Sequence, residues 1–177
     1  FQGETMIETA WKIDGNKISF QLGSYNENEE LIIDPVVRLW GTYYGGTSRF
    51  DQGNSCATDA SGNVYLTGTT SSTTGIATTG AHRTTKGNAN YTSGFLVKFN
   101  SNGSRQWGTY YGNYLWFESC AIDASGNVFL AGFTLFFSVS YNVTTTGAHQ
   151  TIFGGRVDGI LVKFNSSGVR QWGTYYG

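Results

Sequence analysis

Short segments in which apolar and polar residues alternate run through the chain, and sequences rich in Asp, Asn, Ser and Gly separate them. In one such segment Phe95, Val97 and Phe99 alternate with Leu96 and Lys98. Side chains two residues apart lie on the same face of a β-strand. Apolar groups on both faces indicate a sheet that is covered on both sides. The pattern therefore predicts an all-β fold of short strands.

The first 37 residues show the same alternation around a turn. Residues 8–13 and 17–22 flank the sequence Asp-Gly-Asn, which is typical of a tight β-hairpin. Residues 31–33 and 36–44 predict two further strands. We expect residues 1–37 to form an N-terminal β segment that is either a cap or a degenerate copy of the repeats that follow.

The hexapeptide WGTYYG occurs three times, at residues 40–45, 107–112 and 172–177. The similarity extends further, because CATDASGNVYLTG matches CAIDASGNVFLAG and GFLVKFNSNGSRQWGTYYG matches GILVKFNSSGVRQWGTYYG. Tandem similarity over about 65 residues indicates a protein built by repeating one supersecondary unit.

Each repeat predicts four strands, arranged as two tight hairpins joined by a long polar connection. In the first repeat the strands are expected at residues 55–58, 64–68, 95–100 and 105–111, and in the second at 119–122, 128–132, 160–165 and 169–176. Tandem four-stranded sheets with two covered faces are typical of propeller blades. We therefore predict a β-propeller-like array of four-stranded antiparallel blades, and a linear β-solenoid is the alternative.

The predicted organisation is an N-terminal β segment at 1–37 and two full repeats. The first repeat, with the outer strand that precedes it, covers residues 38–112, and the second covers residues 113–177. Two full blades are too few to close a ring of typically 4–8 blades. We expect the chain to be part of a longer protein or to complete its edges by association with other chains.

Charge and hydropathy exclude some classes of partner. The chain has 11 Lys and Arg against 12 Asp and Glu, a net charge of −1. Since no dense basic stripe is present, nucleic acid is not expected as a partner. No apolar run reaches the ~18–20 residues that a membrane helix needs, so no membrane-spanning segment is expected.

The repeats resemble a known family. The run WGTYYGG…DQGNSCATDASGNVYLTGTTSS…TTGAH…GFLVKFNSNGSRQWGTYYG is similar to the bacterial SBBP repeat, which is named for a seven-bladed β-propeller. Residues 25–37, YNENEELIIDPVV, resemble the segment that often precedes such repeats. Residues 112–118, GNYLWFE, depart from the pattern. The resemblance implies a secreted or surface-exposed bacterial protein in which the repeats are scaffold or binding modules.

The polar residues offer little chemistry. Asp59 and Asp123 open the two Ser-Gly-Asn turns, but one carboxylate is far from the 6–8 oxygen ligands that calcium takes, so we interpret them as turn caps. His82 and His149 occupy one repeat position without Cys, Asp, Glu or a second His nearby, which indicates a structural role. No GxSxG or GxxxxGK[ST] motif occurs. We predict no catalytic, metal or cofactor-binding residues and no cofactor.

Cys56 and Cys120 occupy the same position in the two repeats. Equivalent positions of neighbouring blades are usually farther apart than the Cα separation that a disulfide needs. We therefore interpret both cysteines as small apolar residues at inward strand positions rather than as a disulfide.

Five aromatic residues are candidates for contact with a partner or ligand. Phe136, Phe137 and Tyr141 lie in the second long connection, where they either contact a partner or pack on their own blade. Tyr110 and Tyr175 are expected to be exposed if each blade stacks on a sugar.

These observations predict a non-enzymatic structural and binding module of an extracellular or cell-surface bacterial protein. It would display loops on a rigid propeller scaffold for protein or surface interaction. One alternative is a carbohydrate-binding, lectin-like propeller with glycans as ligands. Another is the scaffold part of a larger extracellular enzyme.

Overall fold

The computed structural model describes residues 2–3, 5–32, 39–48, 50–135 and 143–177. The described residues contain ten β-strands and no helix, which confirms the all-β prediction. In order, the strands are β1 (Thr9–Asp14), β2 (Lys17–Leu22), β3 (Asp51–Thr58), β4 (Val64–Thr70), β5 (Ser93–Phe99), β6 (Arg105–Tyr111), β7 (Leu115–Ile122), β8 (Val128–Leu135), β9 (Val157–Phe164) and β10 (Arg170–Tyr176). Residues 1–39 and 40–177 form two separate compact units.

The unit at residues 1–39 contains the predicted hairpin. Strands β1 and β2 pair antiparallel from Thr9 opposite Leu22 to Asp14 opposite Lys17. The rings of Trp11 and Phe20 lie 4.3 Å apart on one face. Within the described residues of this unit, 31 and 32 lie outside any strand, so the strand expected at residues 31–33 does not form there.

The unit at residues 40–177 contains two four-stranded sheets, one for each repeat. The first sheet has the order β3-β4-β5-β6 and the second sheet the order β7-β8-β9-β10. All neighbouring strands are antiparallel. The two repeated four-stranded antiparallel sheets are therefore as predicted.

The first strand of each sheet begins four residues earlier than the sequence pattern predicted. Strand β3 begins at Asp51 and β7 at Leu115. Each contains a register shift, between Gly53 and Ser55 in β3 and before Ser119 in β7. A β-bulge inserts one residue and so interrupts the two-residue alternation on which the prediction depended.

The two sheets pack face to face through buried apolar side chains. Leu96 and Tyr111 of the first sheet share a core cluster with Phe117 and Phe164 of the second. The Tyr111 ring lies 5.6 Å from that of Phe117 and 5.8 Å from that of Phe164. Burial of this apolar surface stabilises the pair of sheets.

The opposite face of the first sheet is also buried. Phe95, Val97 and Tyr110 form a second cluster with Ile76 from the long connection. Tyr110 and Tyr111 therefore lie on opposite faces of the sheet, as their adjacent positions in the strand predicted.

Residues 40–46 cover this second cluster without forming a strand. The indole Nε1 of Trp40 donates to the carbonyl of Ser101 at 3.0 Å. The Tyr44 hydroxyl donates to the carbonyl of Ile76 at 2.6 Å, and its ring lies 5.3 Å from that of Phe95. The strand expected at residues 36–44 is absent from described positions 39–44. Side-chain contacts, and not strand pairing, attach this segment to the first sheet.

The described residues include no apolar helix long enough to cross a membrane.

Candidate functional site

The first long connection lies along the last strand of its sheet. The backbone N–H of Thr78 donates to the carbonyl of Gly108, and the N–H of Tyr110 donates to the carbonyl of Arg83. The second sheet repeats both bonds, with Thr145 paired to Gly173 and Gln150 paired to Tyr175. The connections therefore protect backbone groups that an edge strand would otherwise expose.

This arrangement buries the two tyrosines that the carbohydrate-binding alternative requires to be exposed. Tyr110 and Tyr175 are each 1% exposed. The Tyr110 hydroxyl donates to the carbonyl of Ser72 at 3.1 Å. The prediction that these rings stack on a ligand is wrong, because each lies beneath the connection that covers its strand. Phe136, Phe137 and Tyr141 lie outside the described residues, so a contact role for them stays a prediction.

The Asp59 and Asp123 turns are closed by their own side chains. Oδ1 of Asp123 accepts from the N–H groups of Ser125 and Asn127 at 2.9 and 2.8 Å. Asp59 accepts the equivalent two bonds. This geometry confirms the interpretation of both residues as turn caps.

The caps set the ionisation of both carboxyl groups. Hydrogen bonds from the side chain and backbone of Asn127 lower the pKa of Asp123. Burial alone would raise the pKa of Asp59, but hydrogen bonds from Asn63 and Ser61 and the nearby Lys98 charge lower it. Both carboxylates are therefore charged at neutral pH.

A polar cleft of ≈ 490 Å³ lies between the two turns, lined by Asp59, Asp123, Lys98 and Ser166 among others. Lys98 Nζ is 4.0 Å from Asp59 Oδ2 and donates to the carbonyl of Ser166. Among the described residues, no three His, Cys, Asp or Glu side chains cluster closely enough to hold a metal ion.

The two histidines stack on the last tyrosine of a hexapeptide. His82 stacks on Tyr111 at 5.7 Å between ring centroids and meets Phe164 edge-on at 5.7 Å. Burial, together with the positive charges of Arg170 and Arg83, lowers the pKa of His82 to about 4. His82 is thus a neutral packing group between the two sheets at pH 7.

Cys56 and Cys120 are free thiols. Cys56 is exposed, so the prediction of a buried apolar position is wrong for this residue, whereas Cys120 is partly buried. Burial, together with the neighbouring Cys56, raises the pKa of Cys120 to about 12. The Cys120 thiol is accordingly a poor nucleophile.

Four partly exposed aromatic rings form a row that runs from the end of the first long connection to strands β7 and β8 of the second sheet. Tyr91 and Tyr114 are 4.0 Å apart, Tyr114 and Trp116 are 6.3 Å apart, and Trp116 stacks on Phe133 at 5.3 Å. We call these four residues the aromatic row. Tyr114 has φ +47°, which is uncommon for a bulky residue. The sequence signal for this row was the departure of residues 112–118 from the repeat.

The sequence model of the SBBP family, a beta-propeller repeat, matches residues 39–76. This match supports an SBBP-type repeat in this part of the chain. The matched SBBP segment begins beside Trp40 and ends at Ile76, so it contains both partners of the Tyr44–Ile76 hydrogen bond. A search of curated proteins found no significant match.

Proposed function

We propose that this chain is a non-enzymatic structural and binding module that displays its loops on a rigid β-propeller scaffold. Its place would be a secreted or cell-surface bacterial protein, where the loops contact proteins or surfaces. The SBBP repeat supports a structural or binding role. The observation that carries the proposal is the hydrogen bonding of each long connection to the last strand of its own sheet.

The first connection is anchored by a buried cation. The side chain of Lys86 donates to the carbonyls of Ser71 and Ala89 at 2.7 and 3.3 Å. Burial lowers the pKa of this ammonium group. A charged group held by two backbone carbonyls draws distant parts of one loop together. A loop fixed in this way loses little conformational entropy when it binds.

Two measurements test this proposal. Antibody labelling of intact bacterial cells should detect the protein on the surface, or the medium should contain it, whereas a purely cytosolic signal would contradict the location. Hydrogen exchange should show slow exchange at the N–H groups of Thr78 and Tyr110, which bond the connection to β6. Exchange as fast as in an unfolded peptide would contradict rigid display.

Glycan binding at the aromatic row is a second candidate function. Burial of Tyr110 and Tyr175 removes the original sites for such a ligand. The aromatic row instead offers four partly exposed aromatic side chains, which can contribute both apolar and polar contacts to a ligand. The members of the aromatic row are not repeated in the other repeat, whereas many core residues of the two sheets are.

A glycan array with the whole chain tests this second function. The unchanged protein should bind at least one glycan, and Trp116→Ala should lose that binding. Trp11→Ala is the matched control, because Trp11 is an exposed tryptophan of the hairpin. A silent array, or equal binding by both variants, would rule out the aromatic row as the site.

A further inference from the structure

The outer face of the second sheet repeats the face through which the first sheet binds its neighbour. Leu96 and Tyr111 of the first sheet are 0% and 1% exposed. Their counterparts in the second sheet, Leu161 and Tyr176, are 39% and 73% exposed. Together with Trp172 and His149, Leu161 lines a cleft of ≈ 430 Å³. The same side chains that make an interface in one repeat are therefore uncovered in the next.

The interface within the molecule shows what such a face binds. The Tyr111 hydroxyl donates to the carbonyl of Val143 at 2.5 Å. A Cβ on Gly173 would lie 2.6 Å from that hydroxyl and 2.4 Å from the Val143 carbonyl oxygen. The receiving repeat thus supplies a carbonyl acceptor from its long connection and a glycine from β10 that leaves room for the tyrosine hydroxyl.

The first sheet contains a second receiving site of this kind, occupied by Tyr44. A Cβ on Gly108 would lie 2.5 Å from the Ile76 carbonyl oxygen and 2.6 Å from the Tyr44 hydroxyl. The Tyr44 ring packs on Phe95 and Phe99. We call the site formed by Ile76, Phe95, Phe99 and Gly108 the tyrosine socket.

Residues 40–45, which occupy the tyrosine socket, have the same sequence as residues 172–177 and could be replaced there by them. Residues 40–45 and 172–177 are both WGTYYG. Residues 40–45 form no strand, and Tyr43 among them is fully exposed. Residues 172–176 belong to the paired strand β10, where His149 stacks on Tyr176 at 5.8 Å. That ring is therefore already held as His82 holds Tyr111.

We propose that this chain associates head to tail with a second copy of itself. Residues 172–177 of one copy occupy the tyrosine socket of the other and displace its residues 40–45. The contacts exchanged are equivalent, so the exchange itself costs little, as in domain swapping. Association in addition buries Leu161, Trp172 and Tyr176, and this apolar burial drives it.

The proposed contact joins two different surfaces, so it generates either a closed ring or an open chain of copies. Two copies would supply four sheets, which is the lower limit of the usual propeller ring of 4–8 blades. The second sheet of each copy would then pack on the first sheet of the next, as β7–β10 pack on β3–β6 within one chain.

Sedimentation velocity of the purified 177-residue chain, over about a hundredfold range of concentration, tests the proposal. The unchanged chain should associate reversibly as concentration rises. Tyr176→Ala should remain monomeric over the same range. Tyr44→Ala should lower the dissociation constant at least ~tenfold, because it empties the socket without removing the incoming tyrosine. Tyr43→Ala is the control and should match the unchanged chain.

Tyr176→Ala should weaken association and Tyr44→Ala should strengthen it. These opposite effects distinguish exchange at the tyrosine socket from non-specific association. The double variant Tyr44→Ala, Tyr176→Ala should be monomeric. If circular dichroism shows that Tyr44→Ala unfolds, Tyr44→Phe replaces it, since this change removes only the hydroxyl that bonds to Ile76. A monomeric unchanged chain, or association that persists in Tyr176→Ala, would overturn the proposal.

Discussion

The Tyr111 hydroxyl reaches across the boundary between two sheets and donates to the backbone carbonyl of Val143 at 2.5 Å. Burial raises the pKa of this tyrosine to about 12, so the hydroxyl keeps the proton that it donates. The next repeat back has the same relationship, in which Tyr44 donates to Ile76. The last tyrosine of each of these two hexapeptides therefore bonds to the long connection of the sheet that follows it in the chain.

Removing this hydroxyl should weaken the protein. We expect Tyr111→Phe to lower the free energy of unfolding by ~1–2 kcal/mol, because it leaves the buried Val143 carbonyl without its donor. Tyr176→Phe, at the equivalent exposed position, should leave it unchanged at concentrations where the chain is monomeric. Urea denaturation followed by fluorescence measures both values, and equal losses would contradict the assigned role.

Adding a methyl group at Gly173 should lower the free energy of unfolding more than removing the Tyr111 hydroxyl does. Gly173→Ala would place Cβ 2.4 Å from the Val143 carbonyl oxygen, so the sheets would have to separate or the strand to shift. We expect a loss of ~1–3 kcal/mol, as for other overpacked cores. In Gly155→Ala the nearest atom would be 3.9 Å away, and thermal unfolding should be unchanged. Normal stability of Gly173→Ala would refute the close approach.

His82 should make stability depend on pH in a defined window. Its pKa of about 4 lies below the ~6.5 of an unfolded histidine, so the unfolded state binds more protons between these values. Stability is therefore complete above pH ~6.5 and falls as pH decreases to about 4. As pH decreases across this window, the melting temperature of His82→Gln should fall less than that of His149→Gln. The same pH dependence in both variants would show that His82 is not responsible.

Asp123 should affect stability at lower pH than His82 does, and in the direction that is usual for a stabilising carboxylate. Its pKa is lowered by Asn127, so its stabilising effect is present above the unfolded value of ~3.9 and is lost as pH falls through the folded value. We expect Asp123→Ala to be less stable than the unchanged chain at pH 7. The difference should shrink as the carboxyl group is protonated. Denaturation curves at a series of pH values check this, and a difference independent of pH would contradict it.

Much of this architecture was predictable because hairpin and strand signals are local. Strand β6 (Arg105–Tyr111) and strand β2 (Lys17–Leu22) lie where the sequence pattern placed them. The beginnings of β3 and β7 were not predictable, since a bulge breaks the alternation at Gly53 and Phe117. Position in the repeat also identified the Asp59 and Asp123 caps, whose bonding partners lie within four residues of each other.

The sequence by itself determined the number of repeats, the number of strands in each and the opposite facing of Tyr110 and Tyr111, because these follow from local periodicity and turn chemistry. Only the tertiary structure decided what covers each face. Tyr110 and Tyr175 are buried because the long connections fold back over them, and Tyr176 is exposed while the identical Tyr111 is buried. Identical hexapeptides differ in burial because exposure depends on whether a neighbouring sheet is present, and no local pattern encodes that neighbour.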